Sequence, residues 1–165
     1  MRFVIWTVVA LVVIVLIVVA VGAALPQNHT ATRERSFQVP PTRLYAAISS
    51  VADYPKWKTG VRAVEQLPPE QGKTRFREVG DDTITYEVVE ANAPSKFVTR
   101  IADKSLPYGG SWTYDVAAAP NGSTLRLTEN GEVYNPIFRF VSRFIIGHYR
   151  TMDQFLDDLT KYVTR

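Results

Sequence analysis

The sequence predicts an α+β domain in which a curved antiparallel sheet of about seven strands packs against a long C-terminal helix, preceded by one transmembrane helix. Three observations predict this arrangement. Residues 3–25 form an apolar run without a charged side chain. Residues 61–133 alternate apolar and polar side chains with the period of two that is typical of strands. Residues 137–163 repeat apolar side chains at the helical spacings of three and four.

The N-terminal apolar run is long enough to cross a bilayer. As a helix it extends about 34 Å, compared with about 30 Å for the hydrocarbon core of a membrane. The alternative is a cleaved signal peptide, with Arg2 as its positive end and the small residues 20–24 as its cleavage region. Because the apolar core of a signal peptide has only about 7–15 residues, we interpret residues 1–25 as an uncleaved anchor.

The charges that flank this run leave its orientation open. Arg2 and the amino terminus lie at one end, and Arg33 and Arg35 lie beyond the other. The comparison of positive charges on the two sides is therefore nearly balanced. Of the two orientations, a domain outside the cytoplasm is slightly preferred.

Between the anchor and the predicted sheet, proline and polar residues mark the element boundaries. Residues 26–31 are interpreted as a short polar linker and residues 32–165 as the folded domain, whose first strand covers 32–39. Pro41 can begin a helix because its missing N–H is not needed in the first turn. A second short helical turn is predicted to carry Trp57.

The remaining residues predict a meander of strands followed by the long helix. Asn121 and Gly122 form a strong hairpin signal, and Asn135 followed by Pro136 supplies a cap and first residue for a helix that runs to residue 163. The six strands are predicted at 61–67, 73–79, 83–90, 96–101, 111–118 and 124–133. Since a curved sheet buries one face, the long helix must cover it, and this arrangement is the helix-grip fold.

Several phrases resemble a known superfamily. PTRLYAAI at 41–48 and DYPKW at 53–57 resemble the opening of the START-like, or SRPBCC, superfamily, which includes polyketide cyclases, lipid-transfer domains and plant pollen allergens. Residues 106–114 and 129–140 are similar to a bacterial branch of it, and the resemblance covers about residues 32–163. It implies a hydrophobic cavity between sheet and helix and a bacterial cell membrane as the location. It implies no catalytic residue, because this fold carries both carriers and enzymes.

The expected cavity is formed by the apolar faces of the strands and the last helix. Tyrosines on such a face need hydrogen-bond partners, which a ligand with a polar end could provide. The alternative is a solid core without a cavity. The predicted ligand-binding residues are Trp57, Phe76, Tyr86, Phe97, Trp112, Tyr114, Leu127, Phe144, His148 and Met152.

Three residues are weak candidates for acid–base chemistry. Glu78 and Glu129 share strand faces with apolar neighbours, so burial could raise their pKa values. The alternative, which we favour, is that each is solvated near a strand end or paired with Arg139 or Arg143. His148 has no neighbouring cysteine or acid cluster, so a metal site is not expected. As a base it would need an orienting partner that the sequence does not identify, and packing is the alternative.

Composition excludes several classes of function. Beyond residue 25 the chain has 18 Lys/Arg and 16 Asp/Glu, which is not the basic surface of a nucleic-acid-binding protein. It has no cysteine and no glycine-rich nucleotide-binding motif, so no cofactor is expected. The sequence favours a monomeric, membrane-tethered module that binds a lipid or another hydrophobic small molecule. The alternatives are a cyclase or dehydratase acting on an apolar carbonyl compound, and a partner-binding domain with a collapsed cavity.

Overall fold

The computed structural model describes residues 2–147 and 149–165. The helices are α1 (Arg2–Ala24), α2 (Pro41–Ser49), a 3₁₀ helix (Val51–Lys56), α3 (Pro136–Val141), a π-helical turn (Ser142–Ile146) and α4 (Arg150–Val163). The strands are β1 (Asn28–Phe37), β2 (Val61–Glu70), β3 (Lys73–Gly80), β4 (Thr83–Asn92), β5 (Lys96–Ile101), β6 (Tyr108–Ala119) and β7 (Gly122–Val133).

The seven strands form one antiparallel sheet in the order β1-β7-β6-β5-β4-β3-β2. The six strands predicted as a meander are confirmed, and the first strand lies at the edge, paired with β7. At the β6–β7 hairpin Ala119 pairs with Gly122. Gly122 has φ 140°, and a side chain there would overlap the backbone of Phe37, so this turn requires glycine.

The first strand starts earlier than expected. We predicted a linker at 26–31 and a strand at 32–39, whereas β1 begins at Asn28 and ends at Phe37. The prediction of a six-residue linker was wrong because residues 28–31 complete the ladder with β7, where Ala31 pairs with Glu129. Only residues 25–27 separate α1 from β1, so the domain lies directly at the end of α1.

Helix α4 grips the sheet. Its buried residues Met152, Phe155, Leu156, Leu159 and Val163 join the strand and α2 residues in one hydrophobic core. Burying a side chain of this size contributes about 1.5–3 kcal/mol relative to leaving it exposed. Apart from the buried Asp158, the polar residues of α4 leave one apolar stripe that packs toward the sheet, as a helix-grip fold requires.

The C-terminal helix is interrupted, although a continuous helix was predicted from Asn135 to residue 163. Asn135 does cap α3, since its side chain accepts hydrogen bonds from the N–H groups of Ile137 and Phe138. The helix then ends at Gly147, whose φ of 76° and ψ of 158° are open almost only to glycine. A side chain at Gly147 would meet no atom within 4 Å, so close packing does not explain this glycine.

Gly147→Ala is expected to lower the free energy of unfolding by about 1–3 kcal/mol, because alanine strains this backbone conformation. Stabilisation by alanine would be expected only of a continuous helix, which the structure does not contain. Denaturant unfolding of full-length protein in detergent tests this expectation. If Gly147→Ala instead stabilised the protein and increased its helix content, the helix would not have to end at Gly147.

Helix α1 is long and apolar enough to cross a membrane, a property that an N-terminal signal sequence can share. Its last turns pack against α3. Gly22 permits this approach, since a side chain there would overlap the backbone carbonyl of Pro136. Arg139 of α3 also donates a hydrogen bond to the carbonyl oxygen of Leu25 (3.1 Å). The helix is thus joined to the domain by packing as well as by the chain.

Candidate ligand-binding cavity

A cavity of about 460 Å³ lies between the sheet and α4. This volume is within the range of about 300–1,000 Å³ that small-molecule sites occupy. The exposed residues Thr59, Arg150, Thr151 and Gln154 form its mouth. The deeper lining residues are Tyr54, Lys58, Phe76, Glu78, Tyr86, Thr99, Trp112, Tyr114, Phe155 and Asp158.

Four of the residues proposed from the sequence as ligand contacts line this cavity: Phe76, Tyr86, Trp112 and Tyr114. They lie on β3, β4 and β6, and strand register explains why they meet. Phe76 pairs with Tyr86 across β3 and β4, and their rings stack with centroids 5.3 Å apart. Residues directly opposite each other on antiparallel strands project to the same face.

Other proposed contacts lie elsewhere in the fold. Phe97, Leu127 and Met152 are buried in the hydrophobic core, and they are not among the residues that line the cavity. Trp57 packs behind it, stacked on Tyr162 with ring centroids 5.6 Å apart. His148 lies outside the described residues, so neither of its proposed roles can be placed.

The assignment of Phe144 to the cavity was wrong. Its side chain is 60% exposed and its ring packs against Phe140 at 5.0 Å. The helical spacing that placed it on the sheet side assumed an unbroken helix. The non-helical conformation of Gly147 ends this helix, so residues before it do not continue the helical spacing of α4.

Lys58 and Glu78 form an ion pair in the wall of the cavity. The ammonium group lies 2.8 Å from both carboxylate oxygens, and Glu78 is only 7% exposed. Lys58 also lies 4.8 Å from the centre of the Tyr54 ring. A buried carboxylate requires such a partner because an unpaired charge in a protein interior is strongly disfavoured. The sequence placed Glu78 on an apolar face but did not identify Lys58.

Three tyrosines line the same cavity as this ion pair. Burial raises the pKa values of Tyr54, Tyr86 and Tyr114 above the ordinary value for tyrosine, so all three are protonated donors at neutral pH. Tyr54 donates to the carbonyl oxygen of Ile48 (2.7 Å), and Tyr114 lies beside Thr99. Within residues 2–147 and 149–165 no hydrogen bond to the Tyr86 hydroxyl is observed, which leaves this donor available to a ligand.

Asp158 of α4 closes the polar end of the cavity. Although 5% exposed, it accepts hydrogen bonds from the backbone N–H of Thr59 and the side-chain amide of Gln154, both at 2.9 Å. Its position three residues after Phe155 puts it on the sheet-facing side of α4, a signal that the sequence interpretation missed. In the part of the chain that is described, no group of three His, Cys, Asp or Glu residues could hold a metal ion.

Glu129 lies beside the cavity and not among its lining residues. It is opposite Trp112 in the β6–β7 ladder, and His29 approaches its carboxylate to 3.7 Å. Burial raises the pKa of Glu129 to about 7. The position of this group, away from the cavity surface, does not favour a catalytic role.

This pKa predicts a pH dependence of stability. Because folded Glu129 holds its proton more tightly than the unfolded chain does, its stabilising contribution is complete below about pH 4.5 and is lost as pH rises to about 7. Between pH 5 and pH 8 the loss is about 2 kcal/mol, and Glu129→Gln is expected to remove it.

Unfolding of full-length protein in detergent at both pH values measures this difference. Glu34→Gln, at an exposed carboxylate on β1, is the control and should leave the slope unchanged. Parallel stability curves for wild type and Glu129→Gln would contradict the pKa of about 7.

Comparisons with known proteins agree with this geometry. The sequence profile of the family described as polyketide cyclase / dehydrase and lipid transport matches residues 28–164. No curated protein matches the sequence.

Three solved structures illustrate the shared fold. The Zhui aromatase/cyclase from Streptomyces sp. R1128 superposes with a TM-score of 0.67 at 13% identity, covering 84% of this chain and 94% of the other. Norcoclaurine synthase from Thalictrum flavum gives a TM-score of 0.64 at 12% identity, covering 84% and 87%. Protein MLL2253 from Mesorhizobium loti gives a TM-score of 0.63 at 18% identity, covering 83% and 98%.

At these identities the superpositions establish the fold alone, and the family follows from the profile match. That match spans every strand of the sheet and the gripping helix α4. The cavity lies between these same elements. The chain therefore belongs to the polyketide cyclase / dehydrase and lipid transport family, and it has the helix-grip fold.

Proposed function

We propose that this protein is a membrane-tethered module that binds a lipid or another hydrophobic small molecule in the cavity between the sheet and α4. The proposal rests on a 460 Å³ volume with aromatic walls, which the hydroxyl of Tyr86 reaches as a donor without a hydrogen-bond partner among the described residues. Such a site suits a ligand with an apolar body and a polar acceptor. A carrier requires little more than this volume and a mouth.

The tether supports the same proposal. Helix α1 has the length and apolarity of a membrane span, and only residues 25–27 separate it from β1. A domain held at the bilayer meets a membrane-derived ligand at high local concentration, so modest affinity is sufficient. We retain the extracytoplasmic side as the preferred orientation of the domain, although the flanking charges are nearly balanced.

A matched pair of variants tests the proposed binding mode. Tyr86→Phe removes a hydroxyl with no hydrogen-bond partner among the described residues, so we expect about tenfold weaker binding with nearly unchanged stability. Tyr114→Phe removes a fully buried hydroxyl beside Thr99 and is expected to cost about 1 kcal/mol of stability. Titration of full-length protein with a dansyl-labelled fatty acid measures binding. Unchanged affinity in Tyr86→Phe would contradict a ligand contact at this hydroxyl.

A second candidate function is favoured by the convergence of Lys58 and Glu78 on the same cavity. In a cyclase or dehydratase acting on an apolar carbonyl compound, Glu78 would accept a proton while a tyrosine hydroxyl donates to the carbonyl oxygen. Glu78→Gln separates the two functions. A loss of turnover of 100-fold or more with binding preserved supports the enzyme, whereas binding without turnover in the wild type supports the carrier.

A further inference from the structure

Residues Pro136–Ile146, here called the interfacial segment, expose several large apolar side chains. Phe144 and Ile145 are 60% and 70% exposed, and Ile137 and Phe138 are also exposed. These side chains occupy α3 and the π-helical turn, which do not cover the sheet. A contiguous exposed apolar patch of this kind marks a site of contact with a membrane or with another molecule.

The position of the interfacial segment identifies what covers it. It packs on the last turns of α1, where Val18 and Val19 are partly covered and Gly22 is buried. Val18 lies about 9 Å from the end of the helix. Since nearly the whole of α1 is needed to span a hydrocarbon core of about 30 Å, an element packed on its last turns lies within about 9 Å of the helix end and so close to the membrane interface.

The charges around the interfacial segment fit the same surface. Residues 133–152 contain three arginines, Arg139, Arg143 and Arg150, and no aspartate or glutamate. Arg143 is exposed, and it forms no ion pair with any described residue. A cleft of about 250 Å³ between the end of α1 and the π-helical turn is lined by Arg139 and Arg143. Basic residues beside exposed aromatic and aliphatic side chains are typical of segments that lie on anionic membranes.

We propose that the interfacial segment is a second membrane contact. It lies at the bilayer surface from which the C-terminal end of α1 emerges, and it places Arg143 among anionic lipid headgroups. This inference rests on the membrane attachment proposed above. It has a consequence for ligand uptake, because Arg150 at the cavity mouth is only four residues beyond the end of this segment in the sequence. The mouth would then be adjacent to the bilayer surface.

Single-cysteine labelling of full-length protein tests the proposal, since the native chain has no cysteine. Phe144→Cys and Ile145→Cys are labelled with bimane and reconstituted into phosphatidylcholine liposomes, with or without phosphatidylglycerol. Val89→Cys is the control because Val89 is 48% exposed and lies on β4, away from α1. We expect labels at 144 and 145 to be quenched by lipid-attached nitroxides at least threefold more strongly than the label at 89.

Charge is tested in the same samples. Phosphatidylglycerol should increase quenching at position 144, and Arg143→Gln in the Phe144→Cys background should abolish that increase. The absence of a phosphatidylglycerol effect would overturn the role of Arg143. Quenching at 144 and 145 no stronger than at 89 would overturn the membrane contact.

Two further outcomes would also overturn it. In the first, the label at position 144 is shielded from water without being quenched by the lipid nitroxides, and the shielding increases with protein concentration. This result would instead indicate contact with a second copy of the chain. Failure of the protein to float with liposomes would refute the tether itself. Flotation with weak quenching would refute only this contact, and neither result depends on occupancy of the cavity.

Discussion

Replacing Lys58 with methionine is expected to lower the free energy of unfolding by about 3 kcal/mol. The substitution keeps most of the side-chain volume but leaves the buried carboxylate of Glu78 without the ammonium group that lies 2.8 Å from both of its oxygens. The cost arises from the unpaired charge and not from lost packing. Chemical denaturation of full-length protein in detergent measures it.

A double-mutant cycle provides the control. Glu78→Gln leaves Lys58, whose side chain is more exposed than that of Glu78 and can turn toward solvent, so its cost should be smaller. Lys58→Met combined with Glu78→Gln should recover most of the stability lost in Lys58→Met alone, since no buried charge remains. A cost below about 1 kcal/mol for Lys58→Met would show that this pair behaves as a solvated surface ion pair.

Filling the cavity is expected to abolish ligand binding. Thr99 is buried on β5 and lines the cavity, so tryptophan at this position would occupy the ligand volume. We expect Thr99→Trp to weaken binding of the dansyl-labelled fatty acid by at least 100-fold, equivalent to about 2.7 kcal/mol. Fluorescence titration of full-length protein measures the loss.

The matched control for this substitution is Thr113→Trp. Thr113 lies between Trp112 and Tyr114 on β6 and therefore faces the opposite side of the sheet. It is expected to retain wild-type affinity. If the two variants bind equally well, the ligand does not occupy this cavity. Near-UV circular dichroism confirms that each variant is folded, since overpacking at Thr99 could cost about 1–3 kcal/mol.

Much of the fold could be predicted because each strand shows its period of two. Phe76, Tyr86, Trp112 and Tyr114 are placed on the cavity side by alternation alone, and turn residues such as Gly122 fix where strands end. In this sheet, burial of one face specifies the register, because a slip of one residue would move every apolar side chain to the other face.

Residues outside the strands were less predictable. The helix that begins at Pro136 ends because of the backbone conformation of Gly147. The sequence does not reveal this conformation, since the helical spacing of apolar residues continues on both sides of Gly147. The error at Phe144 followed from this. Lys58 and Asp158 come from different elements, and only the tertiary structure shows that one pairs with Glu78 and the other with the backbone of Thr59.

Native mass spectrometry of full-length protein released from membrane vesicles would show directly whether the cavity holds a ligand. We expect a mass increment from a retained lipid or other hydrophobic small molecule in the wild type and in Thr113→Trp. No such increment is expected in folded Thr99→Trp. A wild-type protein without any bound small molecule, or one that Thr99→Trp retains equally, would contradict the proposal that this cavity is a ligand-binding site.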